Sequence, residues 1–143
     1  MLKLTAAAAL VMIAAGVARG YEQAPVNSES RSARVVTTAS GVYTAAQASK
    51  GEQVYMTSCV SCHPAGTYAT PTFREKWNGA PLARLFDLVT GTMPKTEPGS
   101  LDTQDYIQVM SYILKINGAP PGKTPLPADD DDLKKIRLYL PRR

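Results

Sequence analysis

The sequence predicts an all-α domain of three to four short helices, and three observations carry that expectation. Apolar residues recur at three- and four-residue spacings around residues 81–90 and 103–116. Start and stop signals bracket those stretches and a further one ahead of them. No sustained alternation of apolar and polar residues argues for a sheet. The chain has 143 residues, 44% of them hydrophobic and 20% charged, which suits one globular domain.

Residues 1–20 stand apart. Lys3 precedes an uncharged, Ala-rich run of 14 residues from Leu4 to Val17, and Ala18-Arg19-Gly20 offers small residues for cleavage after Gly20. That is the pattern of a secretory signal peptide, and the run is shorter than the ~20 apolar residues a membrane anchor usually needs. Export is therefore expected, with membrane attachment only if the segment stays uncleaved. Residues 21–40 are rich in Ser, Thr, Ala and Asn and lack a period. They are expected to form a flexible leader or tether, with Arg34-Val35-Val36-Thr37-Thr38 as a short extended piece. The domain proper is expected over residues 41–143.

Thr44 opens the first helix. Thr44-Ala45-Ala46-Gln47 matches a capping box, in which each side chain satisfies the other residue's free backbone amide. The helix runs through Gly51, Val54 and Tyr55 to Ser58. Gly51 costs a helix roughly 1 kcal/mol relative to Ala, so a close approach of another element is expected there. A single helical turn is expected around Thr72–Trp77. From Pro81 to Thr90, Leu82, Leu85, Phe86 and Val89 form one apolar face, and Gly91 follows. Asp102 caps a helix over Thr103–Ile116, whose core stripe is Tyr106, Ile107, Val109, Met110, Ile113 and Leu114. Asn117-Gly118 stops it. Gly118 to Ala128 holds four prolines and two glycines, so residues 118–143 are expected to be an irregular wrap. Asp129–Asp132 lacks the Gly and terminal Glu of a calcium loop and is expected to cap a short helix over about Asp130–Arg137. With Phe73, Phe86, Trp77 and a few Tyr as its large side chains, this core is thin, and a domain so small often needs a staple or a bound prosthetic group.

The reactive side chains are few. Two Cys and a single His exclude a Cys₂His₂ or Cys₄ zinc site within one chain and a disulfide-dense scaffold. All three sit together in Cys59-Val60-Ser61-Cys62-His63. Cys-x-x-Cys-His is the attachment signature of c-type haem. At the end of a helix, two Cys three residues apart reach the two vinyl groups of one porphyrin edge. His63, next in sequence, is then carried under the iron as proximal ligand. The expected cofactor is one haem c, covalent through Cys59 and Cys62. A thioredoxin-like dithiol would need a βαβ framework that this chain lacks. A Cys59–Cys62 disulfide would close a very short loop and stabilise little, and a chance match of five residues is the remaining alternative.

No second His exists for the other axial position. Met56, one turn before Cys59, and Met110, on the apolar stripe, read as core residues. Met93 lies between helices, after Gly91-Thr92 and before Pro94, where a thioether can be aimed at an iron. Met/His ligation is the electron-transfer choice, so His63 and Met93 are the expected metal ligands.

These residues make the sequence resemble a class I c-type cytochrome over roughly Val42 to Leu140. The likeness rests on Gly51-x-x-x-Tyr55-x-x-x-Cys59-x-x-Cys62-His63, on Thr92-Met93-Pro94, and on Tyr106 with Tyr112-Ile113-Leu114. In that family the Gly and aromatic of the first helix cross the aromatic and Leu of the last. A second likeness is to small cytochromes that accompany periplasmic quinoprotein alcohol dehydrogenases and sulfur-compound dehydrogenases. It rests on Gly41-Val42-Tyr43-Thr44, Trp77, Met93-Pro94 with Pro98-Gly99-Ser100-Leu101, and Asn117-Gly118-x-Pro120 with Leu126-Pro127. One departure is Pro64 after the haem His, where the family usually has Gly; Pro71 is the nearest candidate for the carbonyl that orients the imidazole.

The resemblance implies a cytochrome c-like fold around one haem and a periplasmic, non-enzymatic carrier of single electrons. Its expected partners are redox proteins: a dehydrogenase as donor, an oxidase or another cytochrome as acceptor. Tyr55, Phe73, Trp77 and Leu85 are expected to pack the haem, with a core anchor between helices as the alternative for Trp77. Lys76, Arg84 and Lys95 either ring an exposed haem edge or are ordinary solvated charges. Two other functions stay open: a haem enzyme or gas/redox sensor with a displaceable Met, and an obligate cytochrome subunit of a dehydrogenase. The formal charge of +4 first suggests nucleic acid. Loss of residues 1–20 removes Lys3 and Arg19 and lowers it to +2, and two ionised propionates would bring the holoprotein near zero. No nucleic-acid partner is expected.

Overall fold

The computed structural model describes residues 35–141. In chain order these form β1 (Val36–Thr37), a 3₁₀ turn (Thr38–Ser40), α1 (Ala45–Ser58), a second 3₁₀ turn (Ala65–Ala69), α2 (Pro71–Trp77), α3 (Leu82–Thr92), α4 (Thr103–Ile116), α5 (Asp130–Lys135) and β2 (Ile136–Arg137). The expected signal peptide and residues 21–34 of the expected tether lie outside the described residues. The architecture is all-α in a cytochrome c-like arrangement, with one two-residue pair of parallel strands added. Among the described residues no helix is long and apolar enough to cross a membrane.

The crossing of α1 and α4 is the most heavily packed pair of elements. α1 begins with the expected capping box: Gln47 N–H donates to Thr44 Oγ1 at 3.2 Å, and Thr44 N–H donates to Gln47 Oε1 at 3.1 Å. The backbone of α1 at Gly51 lies against that of α4, and a Cβ placed there would overlap the Gln108 carbonyl. Four residues on, Tyr55 packs its ring on Tyr112 at 5.2 Å between centroids. α4 has the expected bounds, with Asp102 Oδ1 accepting from Gln104 N–H at 2.8 Å. Ile107, Val109, Met110, Ile113 and Leu114 form the spine of the core, and Tyr106 is buried at the start of the same helix.

α3 ends two residues later than expected. Gly91 has open space around it and stays in the helix. The stop comes from Pro94, which disfavours helical backbone in the residue before it. Met93 accordingly turns extended (φ −129°, ψ 149°) while its N–H still closes the last turn on Val89 O.

The C-terminal segment is pinned rather than loose. Gly122 N–H donates to Tyr43 O at 2.6 Å, and Tyr43 Oη donates to Ala119 O at 2.6 Å. Gln47 bonds both backbone groups of Leu126. The acidic run caps α5 as expected, with Asp129 Oδ1 accepting from Asp132 N–H. The helix stops at Lys135 instead of reaching Arg137. Ile136, Leu138 and Leu140 are buried while Arg137 and Tyr139 are exposed, the two-residue period of a strand. β2 pairs with β1 in register Val36↔Ile136 and Thr37↔Arg137. Thr38 is fully buried, its hydroxyl donating to Tyr139 O at 2.7 Å and accepting from Tyr139 N–H at 2.8 Å. Residues 36–40, expected to belong to a flexible tether, are therefore an ordered clasp on the C-terminal segment.

Candidate functional site

α1 delivers the Cys-x-x-Cys-His motif. Cys59 is its C-cap, and both Cys59 N–H and Val60 N–H donate to Tyr55 O at 2.9 Å. The chain then folds back on itself, with Cys62 N–H and His63 N–H both donating to Cys59 O, at 3.2 and 2.9 Å. This tight turn puts two free thiols and the imidazole on one wall. Tyr55 Oη closes it by donating to His63 O at 2.6 Å. Burial, reinforced by Tyr68, Cys59 and Tyr112, pushes the Tyr55 phenol up to about 12. Burial also raises the Cys59 thiol above its ordinary value.

The 3₁₀ turn after His63 brings Tyr68 against the imidazole, ring centroids 5.4 Å apart. Phe73 from α2 packs on Tyr68 at 5.4 Å. Burial first, and Cys59 second, raise the Tyr68 phenol. Asn117, buried at the C-cap of α4, donates Nδ2 to Tyr68 O at 2.6 Å and to Ile113 O at 2.9 Å.

The opposite wall comes from α3, α4 and the loop between them. Leu85, Val89, Val109 and Ile113 are its apolar lining, and Met93, Pro94, Lys95 and Thr96 form one lip. Met93 O accepts from Tyr106 Oη at 2.6 Å and from Gly99 N–H at 3.3 Å. The cleft between the walls has a volume of about 200 Å³. Two thiols, one imidazole and one thioether line a mainly apolar space, with Ser58, Ser61, Lys95 and Thr96 as its other polar residues. That donor set fits a covalently held porphyrin and its iron.

Seven of the eight expected site residues line this one cleft: Cys59, Cys62, His63, Met93, Tyr55, Phe73 and Leu85. Trp77 is not among the lining residues. It is buried behind Phe73, ring centroids 6.3 Å apart, with the Lys76 ammonium and the Arg84 guanidinium 5.3 and 6.0 Å from its ring. The position is that of the core anchor between helices. Lys95 stands at the cleft, whereas Lys76 and Arg84 are over Trp77. Met110 is core as expected, but Met56 is 55% exposed. It follows Tyr55 by one residue, about 100° around the helix, and so points away from the buried face. Pro71 opens α2.

Sequence reasoning missed Tyr68, Tyr106 and Asn117 as site residues. Tyr106 and Asn117 were legible as a stripe residue and a helix stop and as parts of the two likenesses, with no role in the site attached to either. Tyr68 is the single aromatic in an irregular stretch beside the haem motif, which is the one signal that could have marked it.

Residues 46–113, a little under half the chain, match the family described as cytochrome c oxidase, cbb3-type, subunit III. No curated protein and no solved structure matches the chain. The matched segment begins in α1 and ends in α4, and it contains every residue lining the cleft. All-α fold, donor set and family match together support a c-type cytochrome domain whose cleft suits a covalent haem c.

Proposed function

We propose that this chain is a class I, monohaem cytochrome c that carries single electrons between periplasmic redox proteins, accepting them from a dehydrogenase. The observation that carries the proposal is the convergence of Cys59, Cys62, His63 and Met93 on one apolar cleft. Cys59 and Cys62 would hold haem c through thioether bonds, and His63 and Met93 would be its axial ligands. When bound, the haem supplies a one-electron ferrous/ferric couple. The chain's residues do the rest. The turn closed on Cys59 O fixes the spacing of thiols and imidazole. Tyr55 locks that turn through His63 O. Leu85, Val89, Val109 and Ile113 keep water from the interior of the cleft, which lowers the local dielectric and is one lever on potential. With His63 and Met93 both holding the iron, no open position would remain for a substrate.

Export, periplasmic residence and the dehydrogenase link rest on the signal-peptide pattern of residues 1–20 and on the sequence likenesses. The gas-sensor or enzyme alternative needs Met93 off the iron. Carbon monoxide added to the reduced holoprotein at neutral pH separates the two. The wild type is expected to bind it poorly and Met93→Ala readily, with loss of the near-infrared charge-transfer band of a Met-ligated ferric haem. Ready binding by the wild type would contradict the carrier reading.

A further inference from the structure

The Met93 side chain faces the cleft, but its backbone is held from outside it. The N–H on one side of the residue donates to Val89 O of α3 at 2.9 Å. The carbonyl on the other side accepts the Tyr106 hydroxyl of α4 at 2.6 Å. The only other donor to that carbonyl among the described residues is Gly99 N–H, at the longer distance of 3.3 Å. Beyond Pro94, residues 95–100 are all exposed, so the loop has no apolar packing of its own to hold Met93 in place. Tyr106 is different. It is 3% exposed and fixed on a 14-residue helix whose other side is locked against α1.

We propose that Tyr106 is a positioning residue for the sixth ligand, its hydroxyl holding the Met93 backbone so that the thioether stays aimed into the cleft. The proposal rests on Met93 being that ligand. A ligand on an exposed loop competes with any external ligand, and its advantage is the preorganisation of its backbone. A phenol from a buried helix supplies that preorganisation at the cost of one side chain already ordered by packing. Its loss frees the carbonyl end of Met93 while the α3 end stays closed.

Imidazole is the probe. On ferric holoprotein, its nitrogen lone pair replaces the thioether lone pair at the iron, with no change in electron count and the Met93 side chain released intact. Tyr106→Phe keeps the ring in the core and removes the hydroxyl alone. The expected result is imidazole binding about three- to tenfold tighter than in the wild type, the fold-change one hydrogen bond carries. The near-infrared band should fade at correspondingly lower imidazole concentration.

Thr38→Val is the structural control. It removes the side-chain bonds of the clasp on Tyr139, away from the cleft, and should lower the melting temperature with imidazole affinity unchanged. In a Met93→Ala background Tyr106→Phe should have no effect on imidazole affinity. The proposal is overturned if Tyr106→Phe leaves affinity and band at wild-type values, or if Thr38→Val shifts affinity as much as Tyr106→Phe does. A wild type that already lacks the band and binds imidazole as tightly as Met93→Ala would sink the ligand assignment itself, and the role of Tyr106 with it.

Discussion

Tyr55 does three jobs at one position. Its ring packs on Tyr112, its edge meets Tyr68 at 6.3 Å, and its hydroxyl donates to His63 O. Its phenol is raised by burial from the ordinary 10.0 to about 12, and the sign of the resulting pH effect follows. Below pH 10 the group is neutral in both folded and unfolded chains. Between 10 and 12 the unfolded chain loses the proton first, so stability falls as pH rises through that window. Tyr55→Phe should therefore lose about 1–2 kcal/mol at neutral pH through the missing hydrogen bond. It should also show a shallower alkaline decline, measured as the urea midpoint across that window. Part of the decline will remain, because burial raises Tyr43 and Tyr68 as well. The sequence singled out Cys59, Cys62 and His63 by the spacing that covalent haem attachment needs, and Met93 by its place between a helix end and a proline, and all four line one cleft. Tyr68 and Asn117 were hidden, since their bond links positions 49 residues apart and no local pattern encodes such a contact.

At the scale of elements, the crossing of α1 and α4 decides whether the two walls of the cleft face each other. Gly51 is its tightest point. An Ala there would gain roughly 1 kcal/mol of helix propensity but would drive a methyl into the Gln108 carbonyl, and backbone on both sides cannot step aside. Overpacking of this kind costs about 1–3 kcal/mol, occasionally more. Gly51→Ala should therefore be destabilised despite its better propensity, by about 2 kcal/mol in a urea melt of the holoprotein. The close approach was readable from Gly51 because a glycine within a strong helix signal costs stability without return unless something comes near. The end of α3 was misplaced because Gly91 resembled a stop when Pro94 was the one in force. The end of α5 was misplaced for another reason. Ile136-Arg137-Leu138-Tyr139-Leu140 alternates over five residues, a strand signal short enough to be overlooked beside the acidic helix cap.

Over the molecule as a whole, the small helices are held by clasps at the chain's two ends and by what fills the cleft. β1 pairs with β2, Thr38 bonds both backbone groups of Tyr139, and Tyr43 and Gln47 hold the segment from Ala119 to Leu126. Backbone pairing across about 100 residues of sequence cannot be read from either end alone, which is why residues 36–40 looked like a tether. These clasps lie away from the cleft, and its apolar walls need an occupant to exclude water. The thin core inferred from composition and the cleft beside the Cys-x-x-Cys-His turn thus have one common answer in a covalent haem. The most direct measurement is a pyridine haemochrome spectrum of the acid–acetone-extracted, denatured protein, produced as the full chain in a host that matures c-type cytochromes. Haem that resists extraction, with a c-type band at one equivalent per chain and no titratable thiol at Cys59 or Cys62, is the predicted result. Haem-free protein with two free thiols would contradict it.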